Sequence, residues 1–168
     1  MEAVDTLALV KPSPSDGERV WRLIKETGSL DLNSVYSYIM LCDIFRDTCV
    51  IAAQAGEAVG FISAYRRPDR PQTLFVWQVA VAGSMQGQGL GKRMLRELLA
   101  RRENADIRFV EATIGPDNTA SRRLFLGLAE EKGCESSLTE CYPARFFPEA
   151  SAHEPELLLS IGPIMNNK

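Results

Sequence analysis

Three glycines spaced one residue apart make Gln86-Gly87-Gln88-Gly89-Leu90-Gly91 the stretch of this chain whose chemistry is easiest to name. Without Cβ atoms the backbone there can bend tightly, and successive amide N–H groups can point into one small space. An amphipathic stripe begins at Leu90, so that space lies at a helix N-terminus, where unpaired N–H groups and the helix dipole favour an anion. The reading is a cradle for a diphosphate. Two common glycine motifs do not fit. A Walker loop needs Gly-Lys-Ser/Thr, whereas Gly91-Lys92 is followed by Arg93. A dinucleotide fingerprint needs G-x-G-x-x-G, whereas the spacing here is G-x-G-x-G.

The cradle needs a strand before it and a helix after it, and both are visible. Residues 73–82 are almost wholly apolar, β-branched or aromatic, which predicts a strand covered on both faces. Leu90, Met94, Leu95, Leu98 and Leu99 fall on one helical stripe opposite Lys92, Arg93, Arg96 and Glu97. Upstream, residues 6–10 read as a strand. A helix capped by Ser15 or Asp16 and stopped by Gly28 follows, then a helix over about 35–45 capped by Asn33 or Ser34. This second helix is apolar nearly all round and predicts cover on several sides, from the site's mouth or a second copy of the chain. Residues 48–54 and 58–65 flank Ala55-Gly56-Glu57 as a hairpin. Downstream come a strand over 108–114, a helix over 119–132 capped by Asp117 or Asn118 and closed by Gly133, and strands over 135–142 and 156–161. The order β-α-α-β-β-β-α-β-α-β-β predicts a mixed α/β sheet.

With 168 residues and a net charge of −3, the chain fits one domain over 1–168, with an ordered core of about 6–164. No basic stripe points to nucleic acid, and the slight acidity mildly suits a cationic substrate. Met1-Glu2-Ala3-Val4-Asp5 carries no basic segment or apolar run, so no signal peptide is expected, and no stretch is long enough to span a bilayer. Cys42, Cys49, Cys134 and Cys141 lack C-x-x-C spacing, and the one histidine does not complete a zinc set with them. The expectation is a cytoplasmic, reduced, metal-free protein in which Cys42 and Cys49 are small buried hydrophobes.

An apolar strand followed by Gln-x-x-Gly-x-Gly resembles the acetyl-CoA loop of the GCN5-related N-acetyltransferase superfamily. A second stretch, Asn118-Thr119-Ala120-Ser121-Arg122-Arg123-Leu124-Phe125, is similar to the N-x-x-[AS]-x-x-L-[YF] segment of the helix after the superfamily's fifth strand. At a narrower level, stretches spread over residues 7–164 look like those of the L-2,4-diaminobutyrate acetyltransferases of ectoine synthesis, a response to osmotic stress. They include Asp47-Thr48-Cys49-Val50, Ser63-Ala64-Tyr65-Arg66, Pro68-Asp69-Arg70-Pro71 and Leu74-Phe75-Val76-Trp77-Gln78-Val79-Ala80-Val81.

The resemblance implies a mostly antiparallel central sheet flanked by helices, a homodimer, and direct transfer of acetyl from acetyl-CoA to the 4-amino group of diaminobutyrate. It assigns the diphosphate to Gln86, Gly87, Gln88, Gly89, Leu90, Gly91 and Lys92. Val79, Ala80 and Val81 take the pantetheine arm, with the Val79 amide as oxyanion donor, and Asn118 and Ser121 line the same ligand. Another small cationic amine is the alternative acceptor.

An alkylamine titrates near 10 and must lose a proton before attack. Glu111, mid-strand, either accepts that proton, binds the ammonium, or pairs with a nearby arginine on a solvated sheet face. His153, beside Phe146, Phe147 and Glu154, is either the base or a surface residue. Asp31, Asn33 and Asp43, around the helix that carries Tyr36 and Tyr38, either receive the second ammonium or serve as caps and solvated acids. Trp77 either meets the aliphatic chain or an ammonium through its ring or fills the core. Arg66, Arg67 and Arg70 either meet an anion or are solvated. Many superfamily members place a tyrosine acid where this chain has Phe125. Either Tyr36, Tyr38, Tyr65 or Ser121 replaces it, or solvent protonates the thiolate, or the chain is a catalytically silent acyl-CoA-binding regulator.

Overall fold

The computed structural model describes residues 6–165, so the residue 1–5 segment and the end of the polar tail lie outside the described residues. Strands β1 (Ala8–Val10), β2 (Val50–Gln54), β3 (Glu57–Arg66), β4 (Thr73–Val81), β5 (Phe109–Ile114), β6 (Ser136–Tyr142) and β7 (Glu156–Ile161) alternate with helices α1 (Gly17–Thr27), α2 (Val35–Ile44), α3 (Leu90–Ala100) and α4 (Thr119–Lys132). The seven-stranded sheet has the order β1-β2-β3-β4-β5-β7-β6. The pairs β1–β2, β2–β3, β5–β7 and β6–β7 are antiparallel, whereas β4 meets β5 in parallel, with Thr73↔Phe109, Leu74↔Val110 and Phe75↔Glu111 in register. The predicted element order and mixed sheet are borne out.

The chain divides into two compact units. One comprises the chain up to Tyr65 with Trp77–Ala105, the other Arg66–Val76 with the chain from Asp106 onward. The first unit's core joins Val20, Leu23 and Ile24 of α1 to Tyr38, Leu41 and Cys42 of α2 and to Ile51, Phe61 and Ala80 of the sheet. The two helices approach closely because residue 17 is glycine. A Cβ there would stand 2.5 Å from Ile39 Cγ1 and 2.9 Å from the Ile39 backbone nitrogen. Ser34 caps α2, its Oγ accepting from the Ser37 amide at 3.2 Å. Arg101, at the end of α3, donates to the carbonyls of Arg46, Asp47 and Cys49 at 3.2, 3.0 and 2.7 Å and pairs with both Glu97 oxygens. It thereby ties the turn after α2 to the end of α3, adding to the Cys49 N–H on Arg46 O and the Asn104 Nδ2 on Asp47 O. In the second unit α4 packs against β7.

One expectation changes. Within β4, Thr73, Leu74, Val76, Gln78 and Ala80 are buried, whereas Trp77 is 45% exposed, and Phe75, Val79 and Val81 are half-buried. The strand is therefore open on one face, and an unbroken apolar run did not reveal it because apolar side chains also line an open face. On α2 only Tyr38, Leu41 and Cys42 are buried, while Tyr36, Ile39, Met40 and Ile44 stay exposed. The cover its composition calls for is not supplied within the unit.

Candidate active site

In the first unit β4 runs into the glycine stretch through one tight turn. The Ala82 amide donates to Val59 O at 2.8 Å, Met85 N to Ala82 O at 2.8 Å, and Gln86 N to Gly83 O at 3.4 Å. Gly87 and Gly89 then adopt φ of +76° and +74°, the left-handed region that side chains disfavour. The first bond of α3 is Arg93 N to Gly89 O at 3.1 Å. Residues 86–89 form a turn that leads directly into α3 at Leu90, so their amides and those of Leu90, Gly91 and Lys92 lie at the helix start. Gln86 and Gln88 brace the turn through their side chains, onto Val81 O at 3.4 Å and Ser84 O at 3.2 Å. A run of amides at a helix start, beside glycines whose missing Cβ atoms leave open space, fits a ligand's diphosphate.

The same unit carries most of the residues expected to meet an amine. Trp77, on the open face of β4, shares that face by alternation with Val79 and Val81, so it is not a core tryptophan. Asp31, Tyr36 and Asp43 are exposed. Tyr38 is fully buried, and its hydroxyl donates to Gln78 Oε1 at 3.1 Å, which removes it from the free proton donors. Asn33 is half-buried and donates to that hydroxyl from both its amide N–H and its side chain. Gln78 was not singled out from sequence. Its signal was a lone amide inside Phe-Val-Trp-Gln-Val-Ala-Val, where a buried polar side chain must find partners.

In the second unit Glu111 is 1% exposed and lies 2.7 Å from Arg70 Nη2 and 3.5 Å from Arg67 Nη1. The expected arginine pairing is present, on a buried rather than a solvated face, because the loop before β4 folds both guanidinium groups over β5. Arg66 pairs with both Asp106 oxygens at 2.7 and 3.2 Å, and Arg67 with both Asp69 oxygens at 2.9 Å. These guanidinium groups hold the Asp69 and Asp106 carboxyls below the usual carboxylate range. The basic loop is thus held by ion pairs to Asp69, Asp106 and Glu111 rather than left as a solvated run.

His153 stacks on Phe147 with centroids 3.8 Å apart, and its Nδ1 faces the Glu154 carbonyl. If Nδ1 carries the proton, Nε2, which lies 3.9 Å from Glu156, keeps its lone pair. Glu154 itself is exposed. Asn118 caps α4 by accepting from the Ser121 amide at 3.1 Å, and Phe125 is buried at 2%. Among the described residues no group of three metal-binding side chains gathers, and no helix is long and apolar enough to cross a membrane.

The turn and most of α4 fall inside residues 18–128, which match the model of the acetyltransferase (GNAT) family. The chain belongs to the GNAT family. Relatives within this family extend the likeness beyond the matched segment. The L-2,4-diaminobutyric acid acetyltransferase of Virgibacillus pantothenticus is 46% identical over 159 residues, 94% of this chain and 99% of that one. The Marinococcus halophilus protein of the same name is 44% identical over 161 residues, 96% of this chain and 92% of its own length. The structure of the diaminobutyrate acetyltransferase EctA from Paenibacillus lautus, in complex with its substrate L-2,4-diaminobutyric acid and coenzyme A, superimposes with a TM-score of 0.92. It is 52% identical and covers 98% of this chain and 99% of its own.

Proposed function

We propose that this GNAT chain transfers the acetyl group of acetyl-CoA to the 4-amino nitrogen of L-2,4-diaminobutyrate, giving N4-acetyl-L-2,4-diaminobutyrate for ectoine synthesis under osmotic stress. The observation that carries the reading is the 52% identity and near full-length superposition with an enzyme whose structure holds diaminobutyrate and coenzyme A. Acetyl-CoA supplies an activated acyl carbon, which exchanges its bond to sulfur for one to the amine nitrogen.

The chain's own residues have separable tasks. The amides from Gly87 to Lys92 hold the diphosphate, that of Gln86 being engaged by the Gly83 carbonyl, and the backbone of Val79, Ala80 and Val81 holds the pantetheine arm. The Val79 N–H serves the carbonyl oxygen as charge gathers on it. Asn118 and Ser121 are assigned to the same ligand on the strength of the helix motif. The acceptor's charges are assigned to Asp31, Asn33, Tyr36, Asp43 and Glu154, and Trp77 offers its exposed ring to the aliphatic chain or the ammonium. Tyr38 acts only through Gln78. Between the two basic groups considered, His153 is assigned the amine proton, because Glu111 is engaged by two guanidinium groups. We further propose a cytoplasmic, metal-independent enzyme that acts as a single domain and assembles as a homodimer through the apolar face of α2.

Mass spectrometry of the purified chain with acetyl-CoA and diaminobutyrate tests the activity. Monoacetylated diaminobutyrate at neutral to alkaline pH is expected. Its absence, or faster turnover of a polyamine or lysine, contradicts the assignment.

A further inference from the structure

Gln78 is 5% exposed, and both ends of its side-chain amide are engaged by one short stretch of chain. Its Nε2 donates to the Asp31 carbonyl at 2.8 Å, and its Oε1 accepts from Tyr38 Oη at 3.1 Å. That hydroxyl accepts in turn from the Asn33 amide N–H at 3.3 Å and from Asn33 Nδ2 at 3.4 Å. The Gln78 backbone N–H donates to Oγ of the fully buried Ser63 at 3.2 Å, which fixes the strand at the same point. Residues 31–34 lie between α1 and α2 without regular structure of their own. They are tied to β4 both directly and through Tyr38, at a position between Trp77 and Val79.

We infer that Gln78 is a positioning residue for the acceptor amine, fixing the loop that presents the Asp31 carboxylate relative to the strand that carries Trp77. It touches no reacting atom and acts only through Asp31 and Tyr38. The inference rests on the proposed function, because the loop matters to catalysis only if it receives the amine. An amide is the side chain that fits. It offers one donor and one acceptor at the same end, whereas glutamate would set a carboxylate against the Asp31 carbonyl and methionine would fill the space with neither.

The test is steady-state kinetics of the full chain and of Gln78→Met, Gln78→Glu and Tyr38→Phe, varying diaminobutyrate and acetyl-CoA separately. Amide hydrogen exchange is followed on the same proteins. In Gln78→Met and Gln78→Glu the KM for diaminobutyrate is expected to rise about tenfold, as for one or two lost buried hydrogen bonds, with the KM for acetyl-CoA nearly unchanged. Exchange at the Asn33 amide is expected to speed up. Tyr38→Phe keeps the bond to Asp31 and is expected to show the same selective rise at smaller size, so it serves if the Gln78 variants do not fold. Both KM values rising together, or an unchanged KM for diaminobutyrate with unchanged exchange at Asn33, overturns the inference. A wild-type chain that makes no acetylated diaminobutyrate overturns the functional reading and this inference with it. A competent wild type whose variants keep their KM overturns this inference alone.

Discussion

At Glu111 two guanidinium groups close on one buried carboxylate, and a carboxylate so engaged is a brace before it is a base. Glu111→Gln leaves Arg67 and Arg70 facing a neutral amide. Because Arg70 is half exposed, a cost of about 2–3 kcal/mol is expected, below that of a fully buried pair. Thermal unfolding reads that loss, and the pH profile of kcat is expected to keep its shape. A fall of about 100-fold or more in kcat with loss of the low-pH limb of the profile would instead make Glu111 the proton acceptor. Burial pushes the Cys42 thiol up to about 12 and the Cys49 thiol up to about 11 from an ordinary 9.0. A raised pKa contributes stability that is complete below the unfolded value and lost as pH rises through the folded one. Alkaline destabilisation is therefore expected between about pH 9 and 12, weaker in a Cys42→Ala, Cys49→Ala double variant. At neutral pH both thiols are expected to resist alkylation until the chain unfolds; rapid labelling of four thiols in the native protein contradicts this. Cys42 and Cys49 were legible as buried hydrophobes because their neighbours in sequence are apolar. The partners of Glu111 were less so, since a charge within a strand predicts that a partner exists but not that an arginine loop covers it.

The glycine turn is the element on which the proposed cofactor site depends. Gly89→Ala places a Cβ at φ +74°, a strain of about 1–2 kcal/mol, although no atom lies within 4 Å of that Cβ. The expected outcome is a several-fold rise in KM for acetyl-CoA with the KM for diaminobutyrate held; a rise in the second alone would detach the turn from the cofactor. Arg101→Ala removes one buried guanidinium from three carbonyls, two of which keep a second donor, and leaves Glu97 without this partner. A loss of about 3 kcal/mol in denaturant unfolding is expected, with little effect on either KM. Helix ends were readable because Ser34, Gly28, Asn118 and Gly133 announce them by residue type. The open face of β4 was not, because Phe75, Trp77, Val79 and Val81 are as apolar as the covered face. Open and covered faces differ only in what the rest of the chain lays across them.

For the molecule as a whole, the order of strands and helices followed from periodicity and turn residues, while the division into two compact units did not. Every element of both units is locally ordinary, and only contacts distant in sequence set the division. Quaternary structure is where composition and fold agree on an unmet need. Tyr36 and Ile44 of α2 are each 68% exposed, more than a lone soluble chain usually leaves together with Ile39 and Met40 on one short helix. Light scattering at micromolar concentration is expected to give a dimer, and Ile44→Glu to shift it towards monomer; a monomeric wild type contradicts the assembly. The proposed function requires the backbone amides after β4 to grip the diphosphate of acetyl-CoA. Residue-resolved amide hydrogen exchange of the full chain, with and without acetyl-CoA, tests it most directly. Slowed exchange concentrated at Gly87 through Lys92 is the expected result. Protection confined to other segments, with these amides exchanging as freely as in the ligand-free chain, would contradict it.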